Sequence, residues 1–448
     1  MTRRGRQLRD LYQRSTSREG PASWRPVGFV VAGKDMDMRF DRRFGILVGV
    51  CCLALFCTRR NTAALQDPHA PLTFASVPTT LVTLPNDSEG LTVDPTTGTL
   101  YAAEAPDASG TCVVRSITMS GTTAVVGIVP KPLGGACSPR GLEFRNGRLY
   151  VSDQGTGPDG WVFEMDPVSG QATTFASGVP GANGIAFDAR GNLWITDSLR
   201  GLGRVYRRDA ETGVVREAFR VPGVANGTTY GGLLTQPSVL GVGRQFVNVP
   251  VGMQPEVRQV ANGIAVSERY SDEATSRDGA PGTATLYVAD TARGALWAVK
   301  LDQHGELEPG QTGCNPTYQS HTLCEDALFV AHPRLEGADG ISVDDDGSLL
   351  IAANQRQGLV RVDRKRNVTE LFRNPVNSQL LRSSADTAEG NRHILEYPSN
   401  PVIVPAVGGW PARTICVTSI DRPGRDNWPG AVGEIGGLGQ DRGKISCF

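Results

Sequence analysis

One hairpin phrase recurs along this chain and restricts it to few folds. At Asn183-Gly184-Ile185-Ala186-Phe187-Asp188 a polar residue and a glycine lead into an apolar run; a turn at Gly191 follows, and Leu193-Trp194-Ile195-Thr196-Asp197 returns. The same order runs from Glu89-Gly90 to Glu104, from Arg140-Gly141 to Asp153, from Asn262-Gly263 to Asp290 and from Asp339-Gly340 to Asn354. A sixth copy, Asn400-Pro401 to Val417, is degenerate. Each phrase reads as two short strands around a tight turn, and the Asn146-Gly147 pair between apolar runs is a strong hairpin signal.

Further strand-like sequence follows each hairpin, as at Gly203 to Arg207 and Val214 to Phe219. Four strands per copy and six copies predict an all-β, six-bladed β-propeller of four antiparallel strands per blade over residues 71–448. Spacings of roughly 43 to 79 residues between copies require insertions in loops. A pair of β-sandwiches is the competing architecture. The last copy supplies three strands, ending at Lys444 to Phe448, so the N-terminal strand within residues 71–83 is expected to close the last blade. The 54 Gly and 29 Pro with 20% charged residues suit many short strands and turns. A formal net charge of -1 gives no footprint for nucleic acid.

Residues 1–64 read separately, as a targeting leader. Arg42-Arg43 precede an apolar run at 44–57 and Arg59-Arg60 follow it. That run is short for a membrane span of roughly 20 residues and suits a signal peptide. The expectation is secretion or residence in the secretory-pathway lumen after cleavage near Thr62-Ala63-Ala64; an uncleaved, type II membrane anchor is the alternative. Six cysteines lie beyond the run, which fits an oxidising compartment, as do sequons at Asn86, Asn226 and Asn367. Placing the strands on a propeller suggests the pairs Cys112–Cys137, Cys314–Cys324 and Cys416–Cys447.

Each phrase opens on a polar slot: Glu89, Arg140, Asn183, Asn262, Asp339 and Asn400. If these begin the innermost strands, all six ring one end of the central channel. Glu89, Asn183, Asn262 and Asp339 offer only carboxylate or amide oxygen, a set that suits a hard divalent cation, calcium before magnesium. Asn or Asp before Gly is also an ordinary turn former, and a polar channel can simply hold water. The connections at roughly 222–260, 309–337 and 373–398 are expected to rim the slot face as binding loops. Asp153, Asp197 and Asp290, which end second strands, read as caps or backbone ligands, and Trp161, Trp194 and Trp297 as core.

The order Glu-Gly, Asn-Gly, Asn-Gly, Asp-Gly resembles the gluconolactonase/regucalcin family of six-bladed propellers. It is similar in pattern to diisopropyl-fluorophosphatase, paraoxonase and strictosidine synthase-like proteins. The resemblance implies that Glu89, Asn183, Asn262 and Asp339 hold the cation. It implies a metal-dependent hydrolase of lactones or related esters, with Asp339 activating water and Arg140 clamping an anion or oxyanion. Arg140 stands where paraoxonases carry a histidine, and the slots offer no Glu beyond Glu89. A monomer acting on a small molecule is expected, with a membrane partner only if the leader is uncleaved. A non-catalytic binding propeller with a structural metal is the main alternative, and a strictosidine synthase-like enzyme a third.

Overall fold

The computed structural model describes residues 78–448 apart from 133, 156–159, 199–202, 223–260, 269–283, 315–318, 355, 374–394, 396 and 421–442. The leader, residues 71–77, the sequon at Asn226 and nearly all of the 222–260 and 373–398 connections lie outside the described residues. Among the described residues no helix is long and apolar enough to cross a membrane.

Six four-stranded antiparallel sheets form the blades. Blade one holds β2 (Ser88–Val93), β3 (Leu100–Glu104), β4 (Val113–Ile117) and β5 (Thr123–Ile128). Blade two holds β6 (Pro139–Arg145), β7 (Arg148–Asp153), β8 (Gly160–Met165) and β9 (Ala172–Val179). Blade three runs through β10 (Ala182–Phe187), β11 (Leu193–Asp197), β12 (Arg204–Arg208) and β13 (Val215–Arg220). Blade four comprises β14 (Ile264–Ser267), β15 (Ala284–Asp290), β16 (Ala295–Leu301) and β17 (Leu328–Ala331). Blade five comprises β18 (Ala338–Val343), β19 (Leu349–Ala353), β20 (Gly358–Val362) and β21 (Val368–Arg373). In blade six, β22 (Pro398–Val404), β23 (Thr414–Ser419) and β24 (Lys444–Cys447) are joined by β1 (Thr79–Thr83), which pairs antiparallel with β24.

The second strand of each blade is flanked by strands on both edges and by blades on both faces. Its sequence is accordingly apolar for most of its length instead of alternating: every residue of β3, β11, β15, β19 and β23 is buried. Outer strands such as β5 and β9 keep exposed positions. Among the described residues the buried apolar side chains gather in six large clusters, one at each seam between neighbouring blades, and a small seventh of Tyr397 with Ile420. Trp194 and Phe219 of blade three, for example, pack with Leu286 and Trp297 of blade four. Each fully buried Leu, Ile or Val contributes about 1.5–3 kcal/mol, so the seams carry the ring.

Disulfides join Cys112 to Cys137, Cys314 to Cys324 and Cys416 to Cys447. The Cys314–Cys324 loop is not a lid over the slots. The segment after β16 forms a bridge from Arg220 of blade three to Thr322 before returning as β17. It therefore joins the third and fourth strands of blade four, starting from the face opposite the slots and running along the outer flank. Only residues 332–337 connect β17 to β18.

Candidate functional site

Five of the six innermost strands carry a bulge at their start, where register slips between Ser88 and Leu91, Pro139 and Leu142, Ala182 and Ile185, Ala338 and Ile341, and Pro398 and Pro401. The extra residues at a bulge leave the ladder and turn toward the channel mouth. Glu89, Arg140, Asn183 and Asp339 all sit second in this bulge. Asn262 precedes β14 as assigned but keeps the backbone pairing, its N–H donating to Ala289 O while Ala289 N–H returns to Gly263 O. In blade six the second position is Ser399, so the expectation that Asn400 fills the sixth slot is corrected. Asn400 stands where the other blades have glycine, and its Nδ2 donates instead to Leu91 O of blade one at 2.6 Å.

The glycine after each slot answers a packing demand. A Cβ on Gly263 would lie 2.0 Å from Asp339 O, and one on Gly141 2.3 Å from Asn183 O. Five of the six slot carbonyls thus press against the glycine of the preceding blade. Hydroxyls of the second strands tie the same carbonyls: Ser152 Oγ and Thr196 Oγ1 donate to Asn183 O and Asn262 O, and Thr418 Oγ1 to Glu89 O at 2.8 Å.

The slots surround one end of a cavity of about 280 Å³ whose wall includes Glu89, Arg140, Asn183, Asp339 and Ser399. Beyond that polar mouth the wall turns apolar, with Leu91, Leu142, Phe144, Ile185 and Ile341. Asn262 is buried behind the wall, although Gly263 lines it.

Each slot side chain is oriented by a partner. Glu89 is ion-paired with Arg140 through Nη1, and Asn183 Nδ2 donates to Glu89 Oε1 at 3.3 Å. Asn183 Nδ2 also lies 3.1 Å from Ser198 Oγ, which accepts from Gln154 Nε2 as well. Asn262 Nδ2 donates to Thr291 Oγ1 at 3.0 Å, and that hydroxyl donates in turn to Ala338 O at 2.6 Å. Asp339 Oδ2 accepts from Asn354 Nδ2 and Ser399 Oγ, both at 3.1 Å. Sequence reasoning misses Ser198, Thr291 and Asn354, yet each immediately follows the end of its hairpin's second strand. The repeat itself marks that position.

The carboxylates ending second strands are structural. Asp290 holds Arg293 and accepts from Trp297 Nε1 at 3.1 Å; burial still pushes its carboxyl above the ordinary range, against the pull of Arg293. Asp153 accepts the N–H groups of Ser138 and Gly155, and burial raises it as well. Asp197 pairs with Arg204. Trp194 and Trp297 are core, while Trp161 is partly buried against the blade one/two seam.

One charged residue of the channel lies outside the slots. Glu143, on β6, is half-buried along the apolar part of the wall, and desolvation pushes its carboxyl up to about 7, with Arg145 pulling the other way. The channel therefore does hold a Glu beyond Glu89.

Among the described residues no three His, Cys, Asp or Glu side chains gather into a metal-holding group. A cation would therefore depend on amide oxygens beside Glu89 and Asp339. The residues present fit that demand: the donor set is all oxygen, and Asn262 Oδ1 is buried with no hydrogen-bond partner while its amide nitrogen is committed to Thr291. An orphaned buried acceptor costs about 1–3 kcal/mol, which a cation would relieve.

Fold and site together define a six-bladed propeller with a polar, oxygen-rich channel mouth. No family model matches the sequence, and no curated protein matches it. Among solved structures, the chain is similar to a calcium-binding regucalcin from Agrobacterium tumefaciens, at 16% identity and a TM-score of 0.46, over 84% of this chain and 95% of that one. It is also similar to a gluconolactonase from Xanthomonas campestris (14%, TM-score 0.45, 82% and 88%) and to a virginiamycin B lyase from Staphylococcus aureus (12%, TM-score 0.40, 81% and 97%).

Proposed function

We propose that this protein is a divalent-cation-dependent hydrolase of lactones or related esters, with calcium as the cation. The observation that carries the reading is Asn262 Oδ1, an amide oxygen buried without a donor beside a ring whose other members are Glu89, Asn183 and Asp339. These four residues would hold the ion, which when bound supplies Lewis-acid polarisation of a carbonyl oxygen. Asp339, whose Oδ2 accepts hydrogen bonds from Asn354 and Ser399, takes a proton from the attacking water. Arg140 lies in the cavity wall with Nη1 on Glu89, and its remaining N–H groups serve an oxyanion or a substrate carboxylate. Residues 1–64 are proposed to direct the protein into the secretory pathway, where the three disulfides form.

A panel of lactones, aryl esters and phosphotriesters, assayed with calcium and then with chelator, tests the reading. Hydrolysis that disappears with chelator and returns with calcium is the expected result. Full activity in chelator would remove the cation from the reaction, and a protein inert toward the whole panel would leave a binding propeller.

Thr291→Val gives a separate check on the ligand ring. Removing the acceptor for Asn262 Nδ2 frees the amide to turn, and partners of this kind are worth about 10–100-fold in metal affinity. Calorimetric calcium titration is expected to show a loss of that size with the fold intact. An unchanged affinity would mean that Asn262 is not a ligand.

A further inference from the structure

The channel described above contains a carboxyl group that the ring of slots does not use. Among the described residues Glu143 makes no hydrogen bond and no ion pair, and its wall neighbours Leu142, Phe144 and Ile185 are apolar. It lies three residues beyond Arg140 on the same strand, less than about 10 Å deeper than the slots because the bulge shortens the path. A glutamate side chain and one water span most of that distance back toward the mouth.

The charged groups around it are engaged elsewhere. On β6 itself, Arg140 is paired with Glu89, and Arg145 donates to Asp188 O at 2.8 Å while lying over the Phe187 ring. From β2 come Glu89 and, past the strand end, Asp94, which Thr96 and Thr97 cap. From β3 comes Glu104, paired with Arg115. From β7, Arg148 goes to Asp166 and Asp153 to the Ser138 and Gly155 N–H groups, and Tyr150, the cross-strand partner of Glu143, is turned toward Glu164. Beyond β10, Asp188 accepts from Asn192 and Trp194. Besides the pull of Arg145, no fixed charge compensates Glu143.

We propose that Glu143 is the proton donor to the leaving oxygen of a substrate bound in the channel, acting directly or through one channel water. This rests on the hydrolase reading and adds a second residue to it. Water adds its oxygen to the carbonyl carbon, and Asp339 takes the proton that water gives up. The bond from that carbon to the leaving oxygen then breaks, its electron pair stays on the oxygen, and the Glu143 carboxyl protonates it. Asp339 afterwards releases its proton to solvent and Glu143 regains one, so the cycle closes without another reactant. Desolvation, which raises the carboxyl to about 7, keeps a large share of Glu143 protonated at neutral pH.

The test is Glu143→Gln, assayed with calcium on esters of graded leaving-group basicity. Help to the leaving oxygen matters for an alkoxide and hardly at all for a nitrophenolate. A kcat loss of about 100-fold or more is expected for alkyl lactones, with nitrophenyl esters kept within about threefold. The limb of the kcat profile near pH 7 should vanish in the variant. Equal losses on both ester classes, or none on either, would overturn the proposal while wild-type hydrolysis still upheld the broader reading; an inert wild type would take both.

Thermal stability provides a readout that needs no substrate. The folded carboxyl titrates at about 7 against 4.5 as the ordinary value, so its contribution is intact below pH 4.5 and is lost as pH rises toward 7. Glu143→Gln should match wild type at pH 4 and melt higher than wild type at pH 8. A constant Tm difference across that range would mean that Glu143 is not held as a neutral acid and would overturn the assignment.

Discussion

Gly263→Ala is expected to destabilise the propeller by about 3 kcal/mol or more, through a contact that backbone conformation cannot relieve. Gly263 is not among the glycines with positive φ, so an alanine there meets no conformational objection. The obstacle is space: its Cβ would lie 2.0 Å from Asp339 O and 2.8 Å from Gly340 Cα, both backbone atoms of the next blade. Relief requires moving blade five away from blade four at the channel, which opens the Ala265, Leu335 and Ile341 seam. Gly178→Ala is the comparison, since Gly178 has φ of 81° with nothing near its Cβ. It should cost only the left-handed penalty of about 1–2 kcal/mol. Urea unfolding of both variants decides the matter; equal losses would show that the blades are not held at the contact distance described.

Asp339→Asn should remove at least about 1,000-fold of the hydrolytic kcat while leaving the fold in place. The substitution keeps shape and still offers an oxygen to Asn354 Nδ2 and Ser399 Oγ, so the buried donors stay satisfied. What it removes is the negative charge and the capacity to take a proton from water. Calcium affinity should fall as well, because Glu89 would be the remaining carboxylate in the ring and Arg140 already neutralises it. A Tm near wild type together with lost turnover is the expected pair of results. A D339N enzyme that kept more than about a tenth of the wild-type turnover would exclude Asp339 from the chemistry.

The hairpin phrase carries the architecture because a second strand buried on all sides must be apolar for most of its length, and such strands are visible by eye. The polar residue before each glycine is legible for a related reason, since only glycine fits against the next blade's slot carbonyl. That marker fails in blade six. There the seam to blade one admits a side chain, the glycine gives way to Asn400, and the slot moves to Ser399. Ser198, Thr291 and Asn354 are harder to see because their role is to aim another side chain, and short polar residues after a strand look like any turn. Glu143 carries no marker at a strand start; its position is set by the depth of the channel, which only the closed ring defines. The 309–337 connection, with its Cys314–Cys324 pair, reads from sequence as lying on the slot face because β17, only four residues long, is hidden within it.

The seam between blades six and one has a consequence for how the molecule comes to fold. Asn400 reaches Leu91 across 309 residues of sequence, and Thr418 reaches Glu89 across 329. Contacts between residues so far apart must wait for a large loss of chain entropy, which slows folding steeply. Blades one to five can be made from neighbouring sequence, but the carbonyl of Glu89 meets its partner only when the circle shuts. The slot ring is therefore among the last features to take shape, and a chain halted before closure holds nearly all of its strands and none of its chemistry.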